Sequence, residues 1–273
     1  MTPSLIDLPR RCRLEVKGPE AKTFLNGIVT CDVKKLKNSW VYALHLTHRG
    51  KIVFDFFLQE LNGVYVIDVD VDLKESLFQT FQKYIVFQQA HLVDVSDDWR
   101  AIAVIGETLK IPADAEMIVF DKPLWGHSAR EIWGSPDRIA ALKKTLEVPE
   151  ISKIEQEVLR IESSTPKFGI DFGTETIPQE ANLYNALSFD KGCYVGQEIV
   201  ARLEHRGHVS KQLVLLATES LLKRGSKILA AEDQKEIGEV TSSVVSPKYN
   251  APIALAYLKY AWLQKPLHHA HRL

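Results

Sequence analysis

Cysteine is scarce in this chain: Cys12, Cys31 and Cys193 are the three in 273 residues, odd in number and with no CxxC pair. That argues against a disulfide framework, a four-cysteine zinc centre and a dithiol redox pair, and favours a reducing compartment. Long apolar runs are also missing. Nowhere do eighteen apolar residues follow one another, and residues 1–9 lack a basic stretch leading into an apolar one, so the expectation is a cytoplasmic protein with no membrane contact. Neither sign of charge dominates, with 34 Lys and Arg against 35 Asp and Glu. No bulk field draws the chain to nucleic acid or to an anionic surface, and no direct nucleic-acid partner is expected. Repeats and low-complexity tracts are absent too. What is present is a hydrophobic content of 45%, enough for a full core in one large or two ordinary domains.

The pattern of elements is mixed. A strand from Tyr42 to Thr47 leads through the polar turn His48-Arg49-Gly50-Lys51 into a second from Ile52 to Gln59. Asn62-Gly63, both tolerant of positive φ, then turns the chain into Val64 to Val71. Asp72 and Glu75 read as the cap of a helix that points Leu73, Leu77, Phe81 and Tyr84 inward. Further strands are expected over 91–95, 100–105, 116–120 and 128–133. A helix opens at Ser135-Pro136 and runs through Leu146, and another follows the Ser152 and Glu155 capping pair. Past Arg206 the texture changes to short strands over 212–218, 226–230, 237–245 and 253–259, without a helix. The absence of a βαβ rhythm makes the fold class α+β: mixed antiparallel sheets with packed helices over 1–206, and a small C-terminal antiparallel β-barrel or half-barrel over 207–273. The ending Leu267-His268-His269-Ala270-His271-Arg272-Leu273 reads as a frayed polar terminus in preference to a metal site.

Chemistry concentrates in Lys191-Gly192-Cys193-Tyr194-Val195-Gly196-Gln197-Glu198-Ile199-Val200-Ala201-Arg202. A lysine two residues before a cysteine can stabilise the nucleophilic thiolate, and the flanking glycines allow a sharp turn or a close approach to a ligand. The run is either a reactive loop or a small buried cysteine beside a surface ion pair. Asp55 is a second candidate. It sits between Val53 and Phe57 on the strand face opposite Ile52, Phe54, Phe56 and Leu58. In that company a carboxylate needs a partner or a raised pKa, unless it lies at the solvated rim of the sheet. Arg160 and Glu162 open to a mutual ion pair. His205 and His208 have H-x-x-H spacing, but Gly207 disfavours the helix that metal ligation would need.

The run Lys191-Gly192-Cys193-Tyr194, Gly196-Gln197-Glu198 and Ala201-Arg202 resembles the signature of the YgfZ-type folate-binding proteins, relatives of the aminomethyltransferase (T-protein) of the glycine cleavage system. Gly50-Lys51-Ile52-Val53-Phe54-Asp55 is similar to the glycine turn and strand that carry the folate-step aspartate of aminomethyltransferases. The stretch from Arg160-Ile161-Glu162 through Pro166-Lys167-Phe168-Gly169-Ile170-Asp171 to Pro178-Gln179-Glu180 resembles the segment lining the folate pocket. Phe168 stands where T-proteins usually have tyrosine. The resemblance implies tetrahydrofolate or a derivative as cofactor, with Asp55, Glu162, Phe168, Glu180 and Arg206 as its contacts. Glu180 would anchor the pterin, and Arg206 would meet the ligand's aromatic portion or its glutamate tail. It implies Cys193, Lys191 and Asp55 as the chemical groups, and iron–sulfur proteins or their assembly factors as partners, with tRNA modification downstream. Residues 16–27 with Thr30 and Asp32 resemble the family's opening, and Gly238-Glu239-Val240-Thr241-Ser242 a strand of its closing barrel. Whether a reaction is catalysed stays open. A folate-dependent aminomethyl or methyl transferase and a non-catalytic folate-responsive scaffold are the rival readings.

Overall fold

The contacts within this computed structural model divide the chain into two units. One comprises Met1–Leu46, Phe54–Ile151 and Asn185–Val195; the other comprises Thr47–Val53, Ser152–Tyr184 and Gly196–Leu273. The structure describes residues 2–273 apart from 9, 37–39, 107–110, 112, 113 and 115 and the side chain of Arg206.

In the first unit the elements run β1 (Ser4–Asp7), β2 (Arg11–Lys17), α1 (Ala21–Ile28), β3 (Val41–Leu46), β4 (Ile52–Leu61), β5 (Val64–Asp70), α2 (Val71–Ile85), β6 (His91–Asp94), β7 (Arg100–Ile105), β8 (Ile118–Asp121), β9 (Ala129–Gly134) and α3 (Pro136–Leu146). The first two residues of β4 are counted with the second unit. Five strands form a sheet in the order β3-β4-β5-β2-β6, and four form another in the order β1-β7-β9-β8. Alternation along β4 buries Ile52, Phe54, Phe56 and Leu58, as the period-two pattern requires. Asn62 and Gly63, at φ 51° and 82°, close the β4–β5 hairpin with the left-handed pair that such a turn demands.

α2 begins earlier than its sequence pattern suggests. Its cap is Asp70, which accepts the Asp72 N–H at 3.0 Å, because β5 runs straight into the helix and leaves no loop for Asp72 to cap. Leu77 and Phe81 are buried, whereas Tyr84 stays 39% exposed. α3 starts as expected, with Ser135 capping Arg138 N–H and Pro136 in the first turn.

The second unit contains α4 (Lys153–Glu162), α5 (Gln197–Arg206), β10 (Lys211–Thr218), β11 (Lys227–Leu229), β12 (Glu236–Ser246), β13 (Ala251–Lys259) and β14 (Ala270–Arg272). Ser152 and Glu155 form a reciprocal capping box on α4. The five strands make an antiparallel sheet, β11-β12-β13-β10-β14, curled as a half-barrel. Register shifts between Ile228 and Leu229 and between Val240 and Ser242 supply bulges, which increase local twist. At Gly238 a Cβ would lie 2.3 Å from the Tyr257 carbonyl, so β12 and β13 pass too closely there for any side chain. One cluster on the sheet packs Leu213, Leu215, Ile253 and Leu255 with Ile161 of α4, and another gathers Leu216, Ile228, Ile237, Val240 and Leu258. The expected frayed terminus is instead a strand. β14 pairs with β10 through Arg272, His271 and Ala270, and His269 lies 2.5 Å from Glu219, since backbone pairing at a sheet edge needs no apolar pattern.

Candidate functional site

Asp55 belongs to a buried polar face of the first unit. β4, β5 and β2 are antiparallel neighbours, so side chains on matching rungs share one face: Phe57 stands opposite Asp68, and Asp68 opposite Arg13. The Tyr42 hydroxyl, from β3, donates to Asp55 Oδ2 at 2.8 Å, and the Tyr42 and Phe57 rings lie 5.1 Å apart. Burial pushes the Asp55 carboxyl above its ordinary range, opposed by the Tyr42 hydrogen bond and the Arg11 charge. Burial also raises the Tyr42 phenol, with the Asp55 charge adding to it.

Next to it lies an ion network whose members the sequence pattern did not single out. Arg11 Nε meets Asp68 Oδ1 at 2.5 Å, while Lys122 Nζ lies 3.0 Å from Asp68 Oδ2 and 2.7 Å from Glu131 Oε2. Trp133 Nε1 donates to Glu131 Oε1 at 2.6 Å, and the Phe57 ring lies 3.8 Å beneath the Lys122 ammonium. Burial alone would raise Asp68, but the Arg11 and Lys122 charges override it and hold the carboxyl below its ordinary range. Gln59 lies on the same β4 face, fully buried, and neither its amide nitrogen nor its oxygen has a hydrogen-bond partner. These residues come from strands far apart in the chain. Only Asp68, a charge between Ile67 and Val69 in an otherwise apolar strand, left any local signal.

The cysteine run divides between the two units, residues up to Val195 in the first and from Gly196 in the second. Within the first unit, residues 185–195 are laced to the end of α1. Thr30 Oγ1 donates to the Ala186 carbonyl at 2.6 Å, Ser188 N–H to the Thr30 carbonyl at 3.0 Å, and Val195 N–H to the Gly27 carbonyl at 3.2 Å. Lys191 is turned inward. Its ammonium donates to the Val29 and Cys31 carbonyls, at 2.7 Å each, and lies 4.9 Å from the Tyr194 ring. Carbonyls just past a helix C-terminus lack intrahelical partners and carry the negative end of the helix dipole, so a buried ammonium fits there. Burial lowers the Lys191 pKa to about 8, and burial raises the neighbouring Cys31 thiol to about 11 against the lysine's charge. Cys193 is exposed, whereas Cys12 and Cys31 are buried. The alternative of a packed motif cysteine is thereby removed.

Gly196, at φ 82°, opens α5, which carries Gln197 and Glu198 in its first turn. Glu198 and Arg202 form an exposed i,i+4 pair at 2.7 Å, the kind of solvated contact that contributes little stability. α5 ends at Gly207, so His205 and His208 do not share a helix. His208 instead lies against Tyr260 with ring centroids 4.0 Å apart, and among the described residues no group of three His, Cys, Asp or Glu is placed to hold a metal.

In the second unit Arg160 does not pair with Glu162. Its guanidinium forks onto Glu157 at 2.8 and 2.5 Å and reaches Asp171 Oδ2 at 2.7 Å. Asp171 also accepts from the Thr241 and Ser242 hydroxyls, at 2.6 Å each, so helical spacing brings Glu157 and not Glu162 onto the arginine's side. Glu162 accepts from the Ser246 hydroxyl and the Lys248 N–H, tying α4 to the β12–β13 turn. Phe168 packs edge-on against Phe172 at 5.5 Å. Glu180 is buried, with Oε2 accepting Ile177 N–H at 3.2 Å and Oε1 the Ser210 hydroxyl at 3.4 Å. The Arg206 side chain lies outside the described residues.

Residues 2–108 match the GCVT N-terminal domain and residues 211–268 the glycine cleavage T-protein C-terminal barrel domain, in the order that the fold presents them. The chain belongs to the GcvT-like family. Among its GcvT-like relatives is a tRNA-modifying protein YgfZ of Hamiltonella defensa, 27% identical over 85% of this chain and 76% of that one. Another is an iron-sulfur cluster assembly factor IBA57 homolog, mitochondrial, of Mycosarcoma maydis, 28% identical over 78% of this chain. The aligned stretch is 57% of that relative's length. The aminomethyltransferase T of the Bartonella henselae glycine cleavage system superposes with a TM-score of 0.84 over 98% of this chain and 84% of its own, at 19% identity, which shows a shared fold. The cysteine run lies between the two matched stretches, outside both.

Proposed function

We propose that this protein binds a reduced folate and supports the assembly or repair of iron–sulfur clusters, and through them tRNA modification. The observation that carries the reading is the setting of Cys193: the exposed thiol of the three, on a segment fastened to the end of α1 by backbone hydrogen bonds and by the inward-turned Lys191. A fastened loop with an outward thiol suits a group that meets a partner or a cluster in transit. The names of the YgfZ and IBA57 relatives supply the process.

Folate is supported by chemistry that fits it. Asp55 is a half-buried carboxylate with one hydroxyl partner and spare acceptor capacity, beside the rings of Tyr42 and Phe57, and the same strand face holds the unpaired Gln59 amide. Such a carboxylate can accept from the amino group and ring N–H of a pterin, as Glu180 can in the second unit. A reduced folate, when bound, would supply the capacity to carry a one-carbon unit. Asp55 with Tyr42 in the first unit is one candidate anchor for it, and Glu180 in the second unit is another, with Phe168, Glu162 and Arg206 as further candidate contacts.

Calorimetric titration with tetrahydrofolate tests this. Asp55→Ala and Glu180→Ala should each weaken binding by roughly 1–3 kcal/mol, about five- to hundredfold, because each leaves a polar group of the ligand unpaired. Unchanged affinity in both variants, with folding intact, removes the pocket assignment. Turnover of an aminomethyl-lipoyl carrier protein with folate would instead make the protein an aminomethyltransferase.

A further inference from the structure

We propose that the first unit docks an acidic, cluster-exchanging protein along α1, from the Phe87 turn at the start of that helix to the Cys193 loop at its end; this rests on the iron–sulfur reading above. Phe87 is 93% exposed and Val86 68%, with Tyr84 of α2 at 39%. Single apolar side chains in water are ordinary, but three within four positions mark a surface that another molecule covers. The turn that carries them is held in place. Glu20 N–H donates to the Gln89 carbonyl at 3.2 Å, and Glu20 Oε2 accepts the Gln89 N–H at 2.5 Å. Gly18, at φ 117°, runs so close that a Cβ there would lie 2.4 Å from the Gln89 oxygen. A turn fastened in this way displays its aromatic tip with little left to lose in ordering, which suits a binding anchor.

The other end of the helix holds the thiol. The Gly27 carbonyl accepts Val195 N–H and the Val29 carbonyl accepts the Lys191 ammonium, so the Phe87 turn and the Cys193 loop are tied to opposite ends of an eight-residue helix. At 1.5 Å per residue that helix is about 12 Å long, and a partner of ordinary interface size covers both ends. Between them α1 buries Ala21, Phe24, Leu25 and Ile28 and leaves Lys22 and Thr23 exposed. Charge gives the partner its sign. Lys22, Lys34 and Lys83 are exposed and, among the described residues, have no carboxylate partner. The acids close to them in sequence are engaged: Glu20 by Gln89, and Asp32 by the Lys34 N–H at 3.0 Å and Lys35 at 3.6 Å. Asp190, beside the thiol, is the exposed exception. An apolar anchor with unpaired lysines along the same helix complements an acidic surface that has an apolar pocket. An anionic bilayer would accept the Phe87 tip as well, but it gives no use to an exposed thiol tied to the far end of the helix.

The test returns variants to cells that lack the protein and reads iron–sulfur enzyme activity at wild-type abundance. Phe87→Ser should restore less than about a tenth of the wild-type activity, as loss of a central aromatic anchor does, with the melting temperature and the alkylation rate of Cys193 unchanged. Lys22→Glu with Lys83→Glu should fail likewise, whereas Lys22→Arg with Lys83→Arg should restore activity, because it is the charge that the partner reads. Full rescue by Phe87→Ser or by the glutamate pair overturns the docking face. A loss of several degrees in Phe87→Ser would make the residue structural and overturns it too. Photo-crosslinking from p-benzoylphenylalanine at position 87 should yield an acidic iron–sulfur protein or assembly factor, identified by mass spectrometry. A lipid adduct, a second copy of this chain, any other protein or no adduct at all overturns the assignment. Full rescue by Cys193→Ser combined with failure of Phe87→Ser removes the thiol reading and keeps the face, and the reverse pair removes the face alone. Iron–sulfur enzymes unaffected by loss of the protein overturn both.

Discussion

Asp55 shows what one residue can betray about its surroundings. Its place between apolar neighbours in a strict alternation marked it before any fold was known, and the alternation is what the structure has. The network beside it was not visible, because Arg11, Asp68, Lys122 and Glu131 lie on β2, on β5, just past β8 and on β9, and strand pairing together with contact between the two sheets assembles them. Burial raises the Asp55 carboxyl, so the folded state holds its proton to a higher pH than the unfolded chain does, and protonation stabilises the fold as pH falls through the raised pKa. Above that pH the buried charge is a cost. Asp55→Asn keeps an acceptor for the Tyr42 hydroxyl without the charge. It should therefore raise the melting temperature at pH 7.5 by about 2 °C or more, with the gap closing toward pH 4.5. A thermal series that shows the two proteins parallel across this range would mean that the carboxyl is not buried as charge.

At the level of elements, local signals were read well where a cap or a turn fixes them and poorly where tertiary contact decides. The Ser152 capping box and the Asn62-Gly63 turn are local chemistry. β14 and α5 are not: one exists because a sheet edge accepts it, and the other follows a left-handed Gly196 in a run that looked like a loop. The joint between α1 and residues 185–195 belongs to this scale as well. Lys191 looked like an activator of Cys193, yet its hydrogen bonds go to the Val29 and Cys31 carbonyls. Lys191→Met leaves two carbonyls without their donor, at about 1–3 kcal/mol, and should speed amide exchange across 188–195. The pH dependence has a definite sign. With its folded pKa lowered to about 8, Lys191 binds fewer protons folded than unfolded, so wild-type stability should gain on Lys191→Met as pH rises above 8. Cys31, raised to about 11, works in the opposite direction above its ordinary value of 9.0, so pH 8 to 9 is the window in which the lysine is read alone. No relative gain in that window would show that the ammonium is solvated.

For the whole molecule, the α+β class and the half-barrel were legible from the order of patterns, since strand runs and helix caps alternate without a βαβ rhythm before residue 206 and strands alone follow it. The interleaving of the two units, in which 47–53 leaves the first and 185–195 returns to it, has no local signature. That interleaving gives the thiol and the Asp55 face to one unit and Glu180 to the other, so the proposed chemistry can be taken apart by mutation. Cys193→Ser is nearly isosteric, but a serine hydroxyl is hardly ionised at neutral pH and ligates iron poorly, so packing should survive while thiol chemistry fails. Tetrahydrofolate affinity should then stay within about threefold, under roughly 0.7 kcal/mol, because Asp55 and Glu180 are untouched. In cells lacking the protein, the same variant should fail to restore iron–sulfur enzyme activity, and in wild type Cys193 should be alkylated well before the buried Cys12 and Cys31. Full rescue by Cys193→Ser at wild-type abundance would detach the thiol from the function and leave Lys191, Gln197, Glu198 and Arg202 as the working part of the run.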